Sequence, residues 1–401
     1  MTELAIMLDV DQGDVADDDA GQGLIALSDP DITMAEIEAV DRVMRSAQLS
    51  SGPLVEEFEQ AFASYLGRRY AIAVPSGTIG LLLALKAHGI GAGQEVIASS
   101  YSFRETMHAI AIAGATPAFA DVDYWAGTLA PDKVEARVTA NTRAIVVSNT
   151  NGHPAAWTEL RAIAVKHGVL LIEDSTEAIG SRYKGELVGS FGDVAVFDFS
   201  QPSALTCGEG GMVVTDDVDI AVTLRRLRSH RRDERASVVV SSTPPYQAAI
   251  SNIAAALGLA QLQRLDEILE RRRLIEHLYY KYVQSFEGIK PPYIAPDVTE
   301  VNWFLYVVHL GTRFTRSSRD SIVEDLGLEQ VEAAAYCNPL HLQRYYFERG
   351  HRRGEYFVTE KVADRAVALP FHTHLTEDQI SFIVETMKEA SINDGAGAAI
   401  Y

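Results

Sequence analysis

The chain has 401 residues, 47% of them hydrophobic, and a formal net charge of −20. That length suits one large core and a second lobe, since single cores stop growing at roughly 250–300 residues, and the charge excludes phosphate backbones and anionic membrane surfaces as partners. No apolar run approaches the ~20 residues that span a bilayer, the N-terminus is acidic where a secretory signal is basic then apolar, and Cys207 and Cys337 have neither disulfide-framework nor metal-site spacing; a cytoplasmic protein with no metal site is expected.

Taken in chain order, residues 1–24 are rich in Asp and Gly without apolar periodicity and read as a flexible acidic arm. From 25 to 250, short β-branched runs alternate with amphipathic segments: "YAIAV" (70–74), "EVIAS" (95–99), "TPAFADV" (116–122), "RAIVVSN" (143–149) and "VLLIED" (169–174). This alternation predicts an α/β fold, a mostly parallel sheet covered by helices on both faces. Residues 251–285 hold a 3.6-residue apolar period and predict one long connecting helix. A smaller α/β domain is expected over 286–390 and a flexible tail over 391–401.

The candidate site residues lie at the ends of these strands. Ser76, Gly77 and Thr78 stand between a strand and an apolar helix, where backbone N–H groups can hold a phosphate, although the same triplet is an ordinary helix cap. Phe103, in "SSYSFRET", offers a stacking face or simply a core side chain. Glu173 and Asp174 end a buried strand at the edge where open α/β sheets take ligands; a cap by Asp174 or Ser175 is the plainer alternative.

Together with "LSSGPLVEEFEQAFASYLG", "GIGAGQEVIASSYSF", "HGVLLIEDSTEAIGS", "GDVAVFDF", "GEGGMVVTDD", "NIAAALGLAQL" and "AVALPFHTHLT", these pieces occur in the order and spacing of a known group. Over residues 27–388 the chain resembles the DegT/DnrJ/EryC1/StrS sugar aminotransferases, a branch of the fold type I pyridoxal-phosphate enzymes. The resemblance implies a large domain with a seven-stranded sheet, a small C-terminal domain and a homodimer whose sites lie at the interface. It places Gly77 and Thr78 at the cofactor phosphate, Phe103 on the pyridine ring and Asp174 at the pyridinium nitrogen.

The pattern breaks at the covalent anchor. Aligned on "GEGG", the family's lysine falls on Ser203, and a hydroxyl cannot condense with an aldehyde to an imine. Lys184 and Lys86 lie on segments that are not expected to reach the site. Where the family has a phosphate-donating serine the chain has Asp198, an acceptor and a like charge; where Gln or His usually follows the aspartate it has Glu177; and Gln247 and Ala249 replace an Asn and Arg that reach the partner's site.

These departures lead to the expectation of a site that works without a cofactor. Glu177, Asp174, Asp198 and Glu209 are expected to line one acidic cavity with Ser203, and His153 to stand near its mouth. Neighbouring carboxyls raise one another's pKa, so one can act as acid and another as base in elimination, dehydration, cyclisation or epimerisation. The expected substrate is polyhydroxylated, a sugar or aminocyclitol, and an acidic cavity also suits a cationic one. One alternative is a dehydratase or aminotransferase that uses pyridoxal or pyridoxamine phosphate (PLP or PMP) as a diffusible cofactor; the family's lysine-lacking sugar dehydratases do so with a histidine at the lysine position. Another is a catalytically inactive binding or partner subunit. The plainer alternative, of equal weight for each residue singly, is that Asp198 and Glu209 are ordinary buried carboxylates paired with Arg182 or backbone donors and that His153 is a loop residue with no role.

Overall fold

The computed structural model describes residues 23–229, 244–284, 286 and 288–394; the expected N-terminal arm, up to residue 22, lies outside them. The first nine strands are β1 (Tyr70–Val74), β2 (Glu95–Ser99), β3 (Thr116–Ala120), β4 (Thr142–Ser148), β5 (Leu170–Asp174), β6 (Arg182–Tyr183), β7 (Glu186–Leu187), β8 (Val194–Asp198) and β9 (Gly211–Thr215). All but β6 and β7 join one seven-stranded sheet in the order β1-β9-β8-β5-β4-β2-β3. Only β9 runs against its neighbours, pairing antiparallel with β1 and β8, while β8, β5, β4, β2 and β3 are parallel. Continuous apolar runs such as "AIVV" in β4 are what a sheet covered on both faces requires. The carboxyl ends of β1, β2, β4, β5 and β8 therefore share one edge, and Val74, Ser99, Ser148, Asp174 and Asp198 stand along it.

A second sheet is built from β10 (Ile289–Lys290), β12 (Tyr306–Leu310), β13 (Ala334–Ala335) and β14 (Ala366–Leu369), antiparallel in the order β10-β12-β14-β13, while β11 (Val298–Glu300) pairs with β6. The helices Arg316–Leu328 and Glu377–Asn393 pack together beside this sheet. The second of them carries the chain past residue 391, where a flexible tail was expected to begin. The single long helix expected over 251–285 is instead two, Asn252–Gln263 and Leu265–Val283, meeting at Arg264. No glycine or proline marks this break. It coincides with the ion pairs that Arg264 makes with Asp31 at 2.9 Å and Glu36 at 2.7 Å. Among the described residues no helix is long and apolar enough to cross a membrane.

Candidate active site

β1 runs into the helix Gly77–Ala87, capped by Ser76, whose hydroxyl accepts the Ile79 N–H at 3.2 Å. The Gly77 N–H donates to Oδ2 of Asp198 at 2.7 Å. A Cβ at Gly77 would stand 2.7 Å from the Thr176 methyl and 3.1 Å from Asp198, so glycine is what allows this helix start to approach the ends of β5 and β8. At the next position, the backbone N–H and hydroxyl of Thr78 have no partner among the described residues. A half-buried helix N-terminus thus keeps spare donors facing outward.

Asp198 is not an isolated carboxylate. Its Oδ1 accepts from Nη1 of Arg104 at 2.9 Å and from the backbone N–H and hydroxyl of Ser200 at 2.9 and 2.5 Å. Arg104 also donates to the Ser200 hydroxyl at 2.6 Å, the Ser200 carbonyl at 2.8 Å and the Pro202 carbonyl. Its side chain is 11% exposed, its guanidinium carbon lies 4.9 Å from the centre of the Phe304 ring, and its Nε is buried with no partner. The bare negative charge expected at Asp198 is therefore matched by a guanidinium, and the expected repulsion of a phosphate is cancelled at its source.

Asp174, at the end of β5, accepts the Thr176 N–H and hydroxyl at 3.1 and 2.7 Å on Oδ1 and the Ser148 hydroxyl at 2.9 Å on Oδ2. Burial pushes its pKa from 3.8 up to about 6 against these hydrogen bonds, with the charge of Glu177 adding to the rise. Its neighbour Glu173 points elsewhere, accepting from Asn149, Ser175 and the backbone of Gly189, Phe191 and Gly192. Thr176 bridges the two aspartates, bonded to Asp174 and packed on Gly77, which is bonded to Asp198.

Glu177 has a different position from the one expected of a proton-transfer group. Oε1 accepts the Ser102 hydroxyl at 2.8 Å and the backbone N–H groups of Phe103 and Arg104 at 3.0 and 3.1 Å; Oε2 accepts the Asn151 N–H at 2.6 Å and the Tyr336 hydroxyl. With five donors on a 5% exposed residue, its lone pairs are taken up in holding three segments together. Phe103, fixed by that bond, packs on Phe304 and Tyr336 at 5.6 and 6.0 Å between ring centres.

The expected acidic cavity is not assembled. Glu209 is exposed on the turn before β9. His153 is buried, its Nδ1 donating to the Pro154 carbonyl at 2.8 Å and its Nε2 accepting the Ala295 N–H at 3.1 Å, and burial pulls its pKa down to about 4. It lines a cavity of about 380 Å³ with Asp123, Tyr183 and Tyr293, apart from Asp174 and Asp198. Ser203 lies beside the Arg104 anchor, its hydroxyl accepting the Leu205 N–H at 3.3 Å. Gln247 is exposed, with φ of 54°. Lys86 is held by the Ala113 carbonyl at 2.7 Å and Lys184 by Asp297 at 3.1 Å. The residue that sequence reasoning missed is Arg104. Its only signal was a lone arginine inside an otherwise uncharged, aromatic strand-end segment, "SSYSFR".

A model of the DegT/DnrJ/EryC1/StrS aminotransferase family matches residues 30–388. The spore coat polysaccharide biosynthesis protein SpsC of Bacillus subtilis is 33% identical over 371 residues, 90% of this chain and 95% of its own. Spr1654 of Streptococcus pneumoniae, in its PMP form, has a TM-score of 0.88 at 25% identity, over 94% of this chain and 99% of its own; in its PLP form the score is 0.87 at 26%, over 92% and 99%. DesI, solved in the presence of its TDP-sugar product, scores 0.84 at 33% identity over 94% of this chain and 95% of its own. These neighbours overturn the expectation of a site without a cofactor, since a structure so similar across its whole length was solved in both PMP and PLP forms.

Proposed function

The chain belongs to the DegT/DnrJ/EryC1/StrS aminotransferase family, and on that premise we propose that it is an enzyme of sugar biosynthesis that uses pyridoxamine or pyridoxal phosphate held without a covalent bond to the protein. The observation that carries the reading is Asp174: a carboxyl buried at the carboxyl edge of the sheet, oriented by Thr176 and Ser148, with its pKa raised to about 6. A buried acid of this kind gains most from an adjacent cation, and a protonated pyridine nitrogen is one.

The remaining residues fit the other parts of such a cofactor. Thr78 supplies a free N–H and hydroxyl at a helix N-terminus for the phosphate. Phe103, anchored through its backbone by Glu177, would offer its face to the ring. Arg104 neutralises Asp198, so the phosphate place carries no net negative charge. When bound, the cofactor supplies an electron sink that spreads the charge left by breaking a bond next to its amine nitrogen. Ser203, standing where the family's lysine falls, cannot condense with an aldehyde, so retention rests on Asp174, Thr78 and Phe103. The sugar substrate is supported by the names of the relatives, SpsC and DesI among them.

Calorimetric titration of the purified chain with pyridoxamine phosphate and with pyridoxal phosphate tests this. Micromolar binding, fully reversed by dialysis, is expected; no heat from either up to millimolar concentration refutes the reading.

A further inference from the structure

We infer that Arg104 and Asp198 form a built-in competitor for the phosphate: the Asp198 carboxylate holds the Gly77 N–H in the free chain, and an incoming phosphate displaces it and takes Arg104 as its own partner. The inference rests on the cofactor reading above and adds which residue recognises the phosphate and what that recognition must displace.

Four features carry it. An anionic side-chain oxygen already sits 2.7 Å from the first N–H of the Gly77 helix, where a helix start favours negative charge. Asp198 is anchored through its other oxygen, which keeps Ser200 at 2.9 and 2.5 Å, so Oδ2 can leave Gly77 without releasing the side chain. Arg104 has a buried Nε without an acceptor, although its four other contacts are satisfied, and a guanidinium edge is the group best shaped to grip a tetrahedral dianion. Finally, Glu177 fixes the backbone N–H of Arg104 at 3.1 Å, so the guanidinium springs from a rigid peptide.

The consequence is a division of labour between phosphate and ring. Removing Asp198's charge should tighten binding of a phosphorylated ligand by at least tenfold, because the internal competitor is gone. Removing Arg104's guanidinium should weaken it by at least tenfold. Neither change should alter binding of pyridoxamine, which has the ring and amine but no phosphate.

Calorimetry on Asp198→Asn, Asp198→Ser, Arg104→Gln and Arg104→Lys, with pyridoxamine phosphate, pyridoxamine and inorganic phosphate as probes, reads this directly, with near-ultraviolet circular dichroism confirming the fold of each. The paired variants at each position keep the test open if one fails to fold. Tighter pyridoxamine phosphate with either Asp198 variant, weaker with Arg104→Gln, partial retention with Arg104→Lys and unchanged pyridoxamine is the expected pattern. Pyridoxamine phosphate bound equally by all five proteins overturns this inference alone, and equal effects on pyridoxamine do so too, since the residues would then act on the ring or the fold. Absence of binding to every protein, Asp198→Ser included, overturns the cofactor reading and this inference with it.

Discussion

Oε1 of Glu177 accepts the backbone N–H of Arg104 at 3.1 Å, so the carboxylate expected to move protons instead fixes the peptide that carries the guanidinium paired with Asp198. Glu177 and Asp198 are thus joined through Arg104, one to its main chain and the other to its side chain. Asp174, at the end of β5, is a carboxyl whose pKa burial raises to about 6.

Glu177→Gln is therefore a stability mutation before it is a catalytic one. The amide presents an N–H₂ where Ser102, Phe103, Arg104, Asn151 and Tyr336 all direct donors. Losing charge-assisted hydrogen bonds and opposing one donor with another costs about 2–4 kcal/mol. Urea unfolding should show the midpoint falling with unchanged m-value; a variant as stable as the unmodified chain contradicts this account.

Asp174 gives the chain a pH signature. Its pKa is about 6 when folded against 3.8 when exposed, so between these values the folded chain holds more of its proton than the unfolded one. Stability from this group is fully present below about pH 4 and falls as pH rises through 6, by about 3 kcal/mol at most, from roughly two pH units at ~1.4 kcal/mol each. Asp174→Asn keeps an oxygen for Thr176 and removes the titration. The stability difference between the two proteins should grow in favour of the variant from pH 4 to 7 and then level; a flat difference refutes the shift.

Parallel strands covered on both faces leave long apolar runs, and strand ends place polar residues at one edge, so the sheet and the places of Gly77 after β1, Phe103 after β2 and Asp174 at the end of β5 were legible in the sequence. Arg104 was not, because a single arginine after an aromatic residue is ordinarily solvent-facing, and its acceptors come from a distant stretch of chain, Asp198 at the end of β8 and the half-buried carbonyls of Ser200 and Pro202 just beyond it. The same holds for Arg264, where apolar periodicity runs straight through a helix break that coincides with ion pairs to Asp31 and Glu36, more than two hundred residues away. His153 misled in the opposite direction: a histidine in a polar loop suggested chemistry, and burial with both ring nitrogens bonded makes it a neutral packing residue.

Gly152 joins the edge of the main sheet to the second lobe. It has φ of +90°, and a Cβ there would lie 2.2 Å from the Asn302 carbonyl oxygen. The adjoining Asn151 accepts the N–H of Phe304 at 3.2 Å and that of Leu305 at 3.1 Å. Gly152→Ala should cost about 2–4 kcal/mol, since backbone rather than a flexible side chain must give way. Because Phe304 lies against Arg104, the variant should also weaken pyridoxamine phosphate binding. Thermal unfolding and calorimetry together check it; unchanged stability removes the claim that this contact locks the two parts together.

Ser203→Lys asks whether the covalent anchor is missing only for want of an amine. The segment 196–216 of the natural chain contains no lysine, so incubation with pyridoxal phosphate and borohydride reduction should leave that peptide unmodified by mass spectrometry. Lys86 and Lys184 are engaged by Ala113 and Asp297 and should gain no stoichiometric adduct either. In Ser203→Lys the new side chain starts next to Pro202, whose carbonyl Arg104 already binds, and so enters beside the guanidinium. A neighbouring fixed cation disfavours the charged ammonium and raises the fraction of free amine able to condense. Near-stoichiometric labelling of that single peptide is therefore expected from Ser203→Lys, with Asp198 left in place. Failure of the label in both Ser203→Lys and the Ser203→Lys, Asp198→Ser double variant would show that position 203 does not face the cofactor, and would remove Ser203 from the site.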